Sequence, residues 1–360
     1  MVLGIRKMFS KSCIGIDIGT FSIKIVEVSR IGKKIKIENY VKFQVPSEED
    51  SLFKVFEDQN LLLLSNRVSE IIKELLKKAR IKGKDVFLSI PDFSTFFTNF
   101  ELPSMPISEL PKAIEFEARH HVPLPLSKVT FDWELLEDQK DFGEVRKHHI
   151  LLVAVPNDVI KQYQNLAILC DLNLKGLEAE IFASMRSSIE LIESKKPVCL
   201  VDIGYTSTTI NIVENKLLEQ SNSFDISSNS LNQALVSSLN VSWQEAERMK
   251  QDFGLNPDKQ SVLLALRPPI DSIFKEVEDV CHRFYQSSGK KVEDIIFVGG
   301  AACIFGLEEY FKVFLKKKIK VSNPFRVSNI SYPPLLENRL DEIGSSFAIA
   351  LGLALRGVGK

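Results

Sequence analysis

The chain has 360 residues, of which 44% are hydrophobic and 26% charged, and its formal net charge is −1. That length can carry two or more domains with their own cores, and the near-neutral balance supplies no global basic field to recruit nucleic acid. No window reaches the roughly 18 apolar residues of a membrane span.

The N-terminal stretch has no signal-peptide hydrophobic region. Its Val2, Leu3, Ile5, Met8 and Phe9 read as a loosely docked arm with one amphipathic turn. The five cysteines, at 13, 170, 199, 281 and 303, fall at no metal-ligand spacing, which is reduced, cytosolic usage.

Cys13 to Val28, CIGIDIGTFSIKIVEV, alternates Ile14, Ile16, Ile18 and then Ile23, Ile25 with the two-residue period of paired strands. The turn between them carries Asp17, Gly19, Thr20, Ser22 and Lys24. A third strand, Lys36 to Pro46, makes a meander, and the acidic segment Ser47 to Asp58 reads as a loop. Ser65 to Ala79 has helical spacing, with Val68, Ile71, Ile72, Leu75 and Leu76 on one face. Asp85 to Ile90 reads as a strand, followed by Phe93, Phe96, Phe97 and Phe100 as core-feeding residues. A helix near Lys112 to His121 stops before VPLPL. Two strands then follow, joined by EDQKDFGEVRK, and Asn157 is the expected N-cap of a helix running to Cys170. Gly176 to Glu180 returns to a strand, and Ile181 to Ser194 to a helix.

Val198 to Val213, VCLVDIGYTSTTINIV, repeats the opening: an apolar strand, Asp-Ile-Gly, a hydroxyl-rich turn and a second apolar strand. One Asp-x-Gly turn is an ordinary hairpin. Two in the same setting, about half a chain apart, point to two similar halves with a site between them. Leu217 to Phe224 completes the second meander, and Ser230 to Leu239 reads as a helix. Ser242 and Glu245 form a capping box, opening a helix that puts Glu247 and Lys250 on one face. Pro268 to Ser287 is expected to be a long amphipathic helix. Asp294 to Val298 is a strand ending in Gly299-Gly300, where a ligand can approach the backbone closely. Gly306 to Lys316 and the small-residue segment Ser345 to Arg356 are further helices. The run Lys316-Lys317-Lys318 reads as a solvated helix end.

No GxxxxGK[ST] loop, GxGxxG or GxSxG elbow is present, and the paired histidines diverge on either strand or helix. What the residues support is a phosphate site built from two facing turns. Gly19, Thr20, Ser22, Gly204, Thr206 and Ser207 would grip oxygen atoms, and Lys24 would neutralise charge. Asp17 and Asp202 would reach a magnesium ion through its waters. Gly299 and Gly300 would lie under the base and ribose, with Glu247 and Lys250 beside them.

This set resembles the actin-like nucleotide-binding superfamily, whose two phosphate motifs, adenosine motif and ribose-contacting helix match Gly15–Lys24, Val201–Ser207, Phe297–Ala301 and Ala246–Lys250. Glu178–Ala183 and Ser345–Arg356 fall where that superfamily has its two connecting helices. Glu180 falls where it often has the residue that orients the attacking water. Within the superfamily the chain resembles the PilM family of type IV pilus assembly proteins, through Phe116-Glu-Ala-Arg-His-His-Val-Pro-Leu-Pro125, Phe131-Asp-Trp and Leu151-Leu-Val-Ala-Val-Pro156. The FtsA family is the runner-up; it usually carries a C-terminal amphipathic membrane helix, which does not follow Arg356.

The resemblance implies an α/β chain with the actin-like ATPase fold, two duplicated lobes around a nucleotide cleft and an inserted small α+β subdomain. The expected division is 1–84 with 176–196 and 345–360 for the first lobe, 85–175 for the insert, and 197–344 for the second lobe with a helical part at 230–290. It implies ATP and magnesium in the cleft, at most slow ATP hydrolysis, and a scaffold at the cytoplasmic face of the inner membrane. Its partners would be the N-terminal peptide of a PilN-like membrane protein and other pilus assembly proteins, with membrane association through those partners. Phe93 to Phe100 and the Phe116 helix are candidates for the peptide's neighbourhood. A small-molecule kinase of the same fold is the enzyme alternative; its acceptor base would be Asp92 or Asp132.

Overall fold

The computed structural model describes residues 12–46, 52–55, 61–136, 147–188, 196–315, 317–327 and 330–359. The N-terminal arm, most of the acidic segment, the polar loop at 137–146, the end of the helix expected to reach Ser194, and Lys316 lie outside them.

Two sheets with the same connectivity organise the chain. The first meander is β1 (Ser12–Ile18), β2 (Ser22–Ile31) and β3 (Lys34–Gln44). After the short hairpin β4 (Phe53–Val55) and β5 (Leu61–Leu63), helix α1 (Ser65–Lys78) leads to β6 (Asp85–Ile90). The insert contributes β7 (Phe96–Pro103), α2 (Leu110–His121), β8 (Val129–Leu136) and β9 (Lys147–Pro156). Helix α3 (Asn157–Leu169), strand β10 (Asn173–Ala179) and helix α4 (Glu180–Ser188) close the first half.

The second meander is β11 (Val198–Ile203), β12 (Thr208–Glu214) and β13 (Leu217–Phe224). It is followed by α5 (Ser228–Leu239), α6 (Trp243–Asp252), α7 (Gln260–Ser288), β14 (Asp294–Val298), α8 (Leu307–Leu315) and β15 (Lys318–Val321). Strand β16 (Ile330–Ser331) and helices α9 (Leu340–Ile343) and α10 (Ala348–Gly357) end the chain.

The first sheet runs β10-β6-β1-β2-β3-β16 and the second β13-β12-β11-β14-β15. In each, the opening strand pairs antiparallel with the next strand and parallel with a later one: β1 with β2 and β6, β11 with β12 and β14. The duplication inferred from the two Asp-Ile-Gly turns is thus a duplication of sheet topology. A separate three-stranded sheet, β7-β9-β8, forms the insert, with Leu110, Ile114 and Ala118 of α2 packed onto its Phe100, Ile150 and Leu152.

Several local expectations shift. Strand β6 lies between β10 and β1 in the first sheet, and Val159, Tyr163 and Leu166 of α3 pack into the core of β1 and β2, so both belong with the first lobe. Phe325, Val327, Ile330 and Leu340 likewise pack with β1 to β3 and α10. Part of the acidic segment is the hairpin strand β4 rather than loop. Asn157 is the first residue of α3, not its cap, and its side-chain oxygen accepts from Thr130 Oγ1 at 2.7 Å. Ser242 caps α6 by accepting from Glu245 N–H at 3.2 Å. The reciprocal capping box belongs to Ser227 and Ser230 at α5.

Helix α7 begins well before Pro268 and runs through Pro268 and Pro269. Each interior proline loses a backbone bond, at a cost of about 3 kcal/mol, but the turns before them bury Val262, Ala265 and Leu266 in the second lobe's core.

Helices α4 and α10 cross between the sheets. The crossing is close because Gly352 has no side chain: a Cβ there would sit 1.9 Å from the Ala183 carbonyl oxygen. Beside it, Glu178 at the end of β10 has no exposed side-chain surface. It accepts two bonds from Arg186 at 2.7 and 2.6 Å and is also paired with Arg356 of α10. Gly352→Val is therefore expected to lower the unfolding free energy by about 3 kcal/mol, read as a drop in denaturant midpoint at unchanged slope. An unchanged midpoint would mean that the two helices slide apart without penalty.

Candidate functional site

The two Asp-Ile-Gly turns face each other across a cavity of about 560 Å³ between the lobes. Asp17, Gly19, Thr20, Ser22 and Lys24 reach its wall from the first hairpin, and Asp202, Gly204, Thr206 and Ser207 from the second. Glu180 enters from the first residue of α4, Glu247 and Lys250 from α6, and Gly299 and Gly300 from the turn after β14. Every residue singled out in the sequence for the site is thus on one surface.

The two turns have the same internal bond. Gly19 N–H donates to the Ser22 carbonyl at 3.0 Å, and Gly204 N–H to the Ser207 carbonyl at 3.0 Å. The backbone N–H groups of Thr20, Phe21 and Thr206 have no acceptor among the described residues, which leaves donors on the wall for an anion. The hairpins differ in charge opposite the turn aspartate. Lys24 lies opposite Asp17 in the first, where Thr209 lies opposite Asp202 in the second.

Carboxylates crowd the floor. Asp17 is 1% exposed. It accepts from Lys24 Nζ at 2.9 Å and from Ser89 Oγ at 3.1 Å. Burial alone would lower the pKa of Lys24; Asp17, with help from Asp202 and Glu180, reverses this and holds it above the usual lysine range. Asp202 has no such partner: burial, only partly offset by Lys24, pushes it up to about 6. Asp92, outside the cavity wall, is tied to the start of α4, with Ile181 N–H donating to Asp92 Oδ1 at 3.2 Å and Asp92 N–H to Glu180 Oε2 at 3.3 Å. Burial raises Asp92 to about 7, with Asp202 adding to it. Burial and then Asp92, Asp17 and Asp202 push Glu180 well above the carboxylate range. Glu180 is therefore held toward its protonated form and is not a ready base. Asp132 is remote from the cavity, bonded to Trp133 N–H at 2.9 Å on β8.

At the other end, Lys250 is 2% exposed. Its ammonium bonds Glu247 Oε2 and Ser228 Oγ, each at 2.7 Å. Asn232 Nδ2 donates to the same Glu247 oxygen at 2.7 Å. Burial lowers the pKa of Lys250, partly offset by Glu247. Gly299 has φ +92°, and a Cβ there would meet Asp202 Oδ1 at 2.3 Å, so this turn requires glycine; around Gly300 the space is open. Ser345 Oγ holds the turn by donating to the Gly299 carbonyl at 2.7 Å.

Several wall residues escaped the sequence reading. Phe21 stacks on Tyr205 across the cleft, ring centroids 4.0 Å apart and 7° from parallel, with Trp243 edge-on to Phe21 at 5.2 Å. Tyr205 Oη and Trp243 Nε1 both donate to Asn229 Oδ1, at 3.0 and 3.3 Å. Lys42 and Gln44 line the cavity from β3, and Phe93 also reaches it. Phe93 is thus a cavity residue rather than core, whereas Phe100 is buried in the insert and Phe97 packs edge-on against Phe182 at 6.0 Å.

Two lobes of matching sheet topology, joined by crossing helices and enclosing a polar cavity, define an actin-like fold. Solved structures agree. The ethanolamine utilization protein EutJ from Carboxydothermus hydrogenoformans is similar at 18% identity, with 98% of this chain and 92% of that one covered and a TM-score of 0.59. MreB5 of Spiroplasma citri bound to AMPPNP is similar at 12% identity, 95% coverage of both chains and a TM-score of 0.51. The family of type IV pilus assembly protein PilM matches residues 15–358, and the chain belongs to that family. A solved PilM–PilN type IV pilus biogenesis complex is similar over 99% of this chain and 100% of that one, at 22% identity and a TM-score of 0.83.

The raised carboxylates set a pH dependence. A carboxyl whose folded pKa lies above its unfolded value stabilises the fold fully below the unfolded value, and that contribution is lost as pH rises through the folded one. For Asp202 the window runs from 3.8 to about 6. Asp202→Asn is expected to raise the stability of the ligand-free chain above that window by on the order of 2 kcal/mol, discounted for the carboxyl's partial exposure to the cavity, and to flatten the fall within it. Denaturation midpoints across the window measure this; superimposable profiles for variant and wild type would refute it.

Proposed function

We propose that this PilM-family chain is an ATP-binding scaffold of the type IV pilus inner-membrane assembly complex, working at the cytoplasmic face of that membrane. The observation that carries the nucleotide reading is the convergence of both phosphate turns, the Glu247–Lys250 helix and the Gly299-Gly300 turn on one cavity of about 560 Å³. Unpaired N–H donors at Thr20, Phe21 and Thr206 suit phosphate oxygens. Gly19, Ser22, Gly204 and Ser207 shape the two turns, with Lys24 as the first cation. Glu247 and Lys250 suit ribose hydroxyls, and Gly299 with Gly300 the base.

Among the described residues no group of three or more side chains is arranged to hold a metal ion. A magnesium ion would therefore take its ligands from phosphates and waters, with Asp17 and Asp202 contacting those waters. When bound it would offset the carboxylate excess on the floor. Glu180 orients the attacking water in this reading, and its raised pKa supports slow turnover at most.

The partner is the N-terminal peptide of a PilN-like inner-membrane protein, as the similarity to the PilM–PilN complex supports. Its groove would lie between the first lobe and the β7-β9-β8 insert, near the exposed Phe116 of α2. No helix among the described residues is long and apolar enough to cross a membrane; in this reading other pilus assembly proteins are partners too, and the chain meets the membrane through its partners. Ligand closure of the lobes would couple nucleotide state to peptide affinity.

Calorimetry with magnesium-ATP, and then with the PilN peptide in the presence and absence of ATP, tests the reading. ATP is expected to bind the wild type, to bind Asp17→Ala and Lys24→Ala at least about tenfold more weakly, and to change peptide affinity. No binding at millimolar ATP would overturn the nucleotide reading, and equal peptide affinity with and without ATP would overturn the coupling.

A further inference from the structure

Strand register places Asp17, Lys24 and Lys42 in one row across β1, β2 and β3: Asp17 pairs with Lys24, and Lys24 with Lys42. Side chains at paired positions share a face of the sheet, and all three line the cavity. The two lysines are not equivalent. Lys24 is 13% exposed and bonded to Asp17. Lys42 makes no ion pair or hydrogen bond to any described residue, and its exposed surface looks into the cavity, whose walls take up part of the water around it. The charged and titratable groups facing it are Lys24 from β2, Glu247 and Lys250 from α6, and the Cys303 thiol from the turn after β14. Arg339 and Glu342 lie farther along the same wall. Glu247 is already bonded to Lys250, Asn232 and Gln251. Lys42 thus stands between the phosphate turns and the ribose helix with its charge unspent.

We propose that Lys42 is the second phosphate-binding cation of the cavity, beside Lys24, and the one whose charge is not shared with a carboxylate. The assignment rests on the nucleotide reading above and adds a residue to it. An unpaired ammonium flanked by two other lysines gains more from a polyanion than one already neutralised.

The same setting makes the site pH-sensitive. Desolvation, and then repulsion from Lys24, lowers the Lys42 pKa to about 8. A polyphosphate restores the charged form, so binding takes up a proton and weakens as pH rises through that value.

The test titrates magnesium-ATP and, separately, inorganic tripolyphosphate into the full chain by calorimetry between about pH 7 and about pH 9. For the wild type both affinities are expected to fall across that range. Lys42→Met should bind each about tenfold more weakly at the lower pH and lose the pH dependence. Lys42→Arg should keep the affinity and also lose the pH dependence, because guanidinium does not titrate there. Lys42 has no bonded partner among the described residues to lose, so both variants should stay folded, and Lys42→Met should melt at or above the wild-type temperature at the lower pH, because it removes an ammonium that the ligand-free fold disfavours. Wild-type affinity and pH profile in Lys42→Met overturn the proposal. If tripolyphosphate binding depends on Lys42 and ATP does not bind, the nucleoside reading falls and the cation assignment stands. If neither ligand binds the wild type, both fall.

Discussion

The site depends on an imbalance of buried charge. Asp17, Asp92, Glu180 and Asp202 converge near one ion-paired cation, Lys24, and only Asp17 has it as a partner. Removing a carboxylate from water is costly unless a cation or protons compensate. The ligand-free protein uses protons: burial raises Asp202 to about 6 and Asp92 to about 7. A ligand that brings positive charge to this floor and negative charge to the turns answers both needs at once. A hydrated divalent cation carried on a polyphosphate has that shape of charge.

The lobes are tied to each other at two heights, by different physics. Below the cavity the tie is steric and ionic: α4 and α10 cross at Gly352, and Glu178 holds Arg186 and Arg356 against them. A crossing that admits no Cβ cannot separate without breaking the buried ion cluster, so it acts as a fixed axis. On the cavity wall the tie is the Phe21–Tyr205 stack with Trp243 at its edge. Aromatic pairs of this kind contribute only about 0.5–1.5 kcal/mol beyond their buried area. Of the two ties the aromatic stack is the weaker, and so the one that a ligand's binding energy can more easily bias.

Legibility in the sequence followed contact range. Each Asp-Ile-Gly turn packs its aspartate, glycine and hydroxyls into a few residues, and the repeat of that local pattern in Val198 to Val213 exposed the duplicated topology and residues that line the cavity. What was missed arises from pairings the linear order does not carry. Lys42 reads as a solvent-side residue of an alternating strand until the register sets it beside Lys24. Phe21, Tyr205 and Trp243 are far apart in sequence, and nothing local marks them as one cluster. The parallel pairing of β6 with β1 and β10 moved that strand out of the insert. The start of α7 was hidden because a proline pair reads as a boundary, whereas here core burial on the preceding turns outweighs the lost bonds.

The duplication is faithful in backbone and broken in charge, and the break bears on what the cavity is for. Both turns close with the same 3.0 Å bond, yet the position opposite the turn aspartate is Lys24 in one lobe and Thr209 in the other. The first lobe therefore supplies the paired lysine and, one strand over, the unpaired Lys42, while the second supplies an aspartate with no cation of its own. In the proposed reading a ligand in the cleft would meet an anion-seeking wall on one side and a cation-seeking one on the other, with Glu180 held toward its protonated form between them. Such a cavity grips a ligand of mixed charge more readily than it activates water. In that reading the bound state would persist rather than turn over, which suits a member of a pilus assembly family.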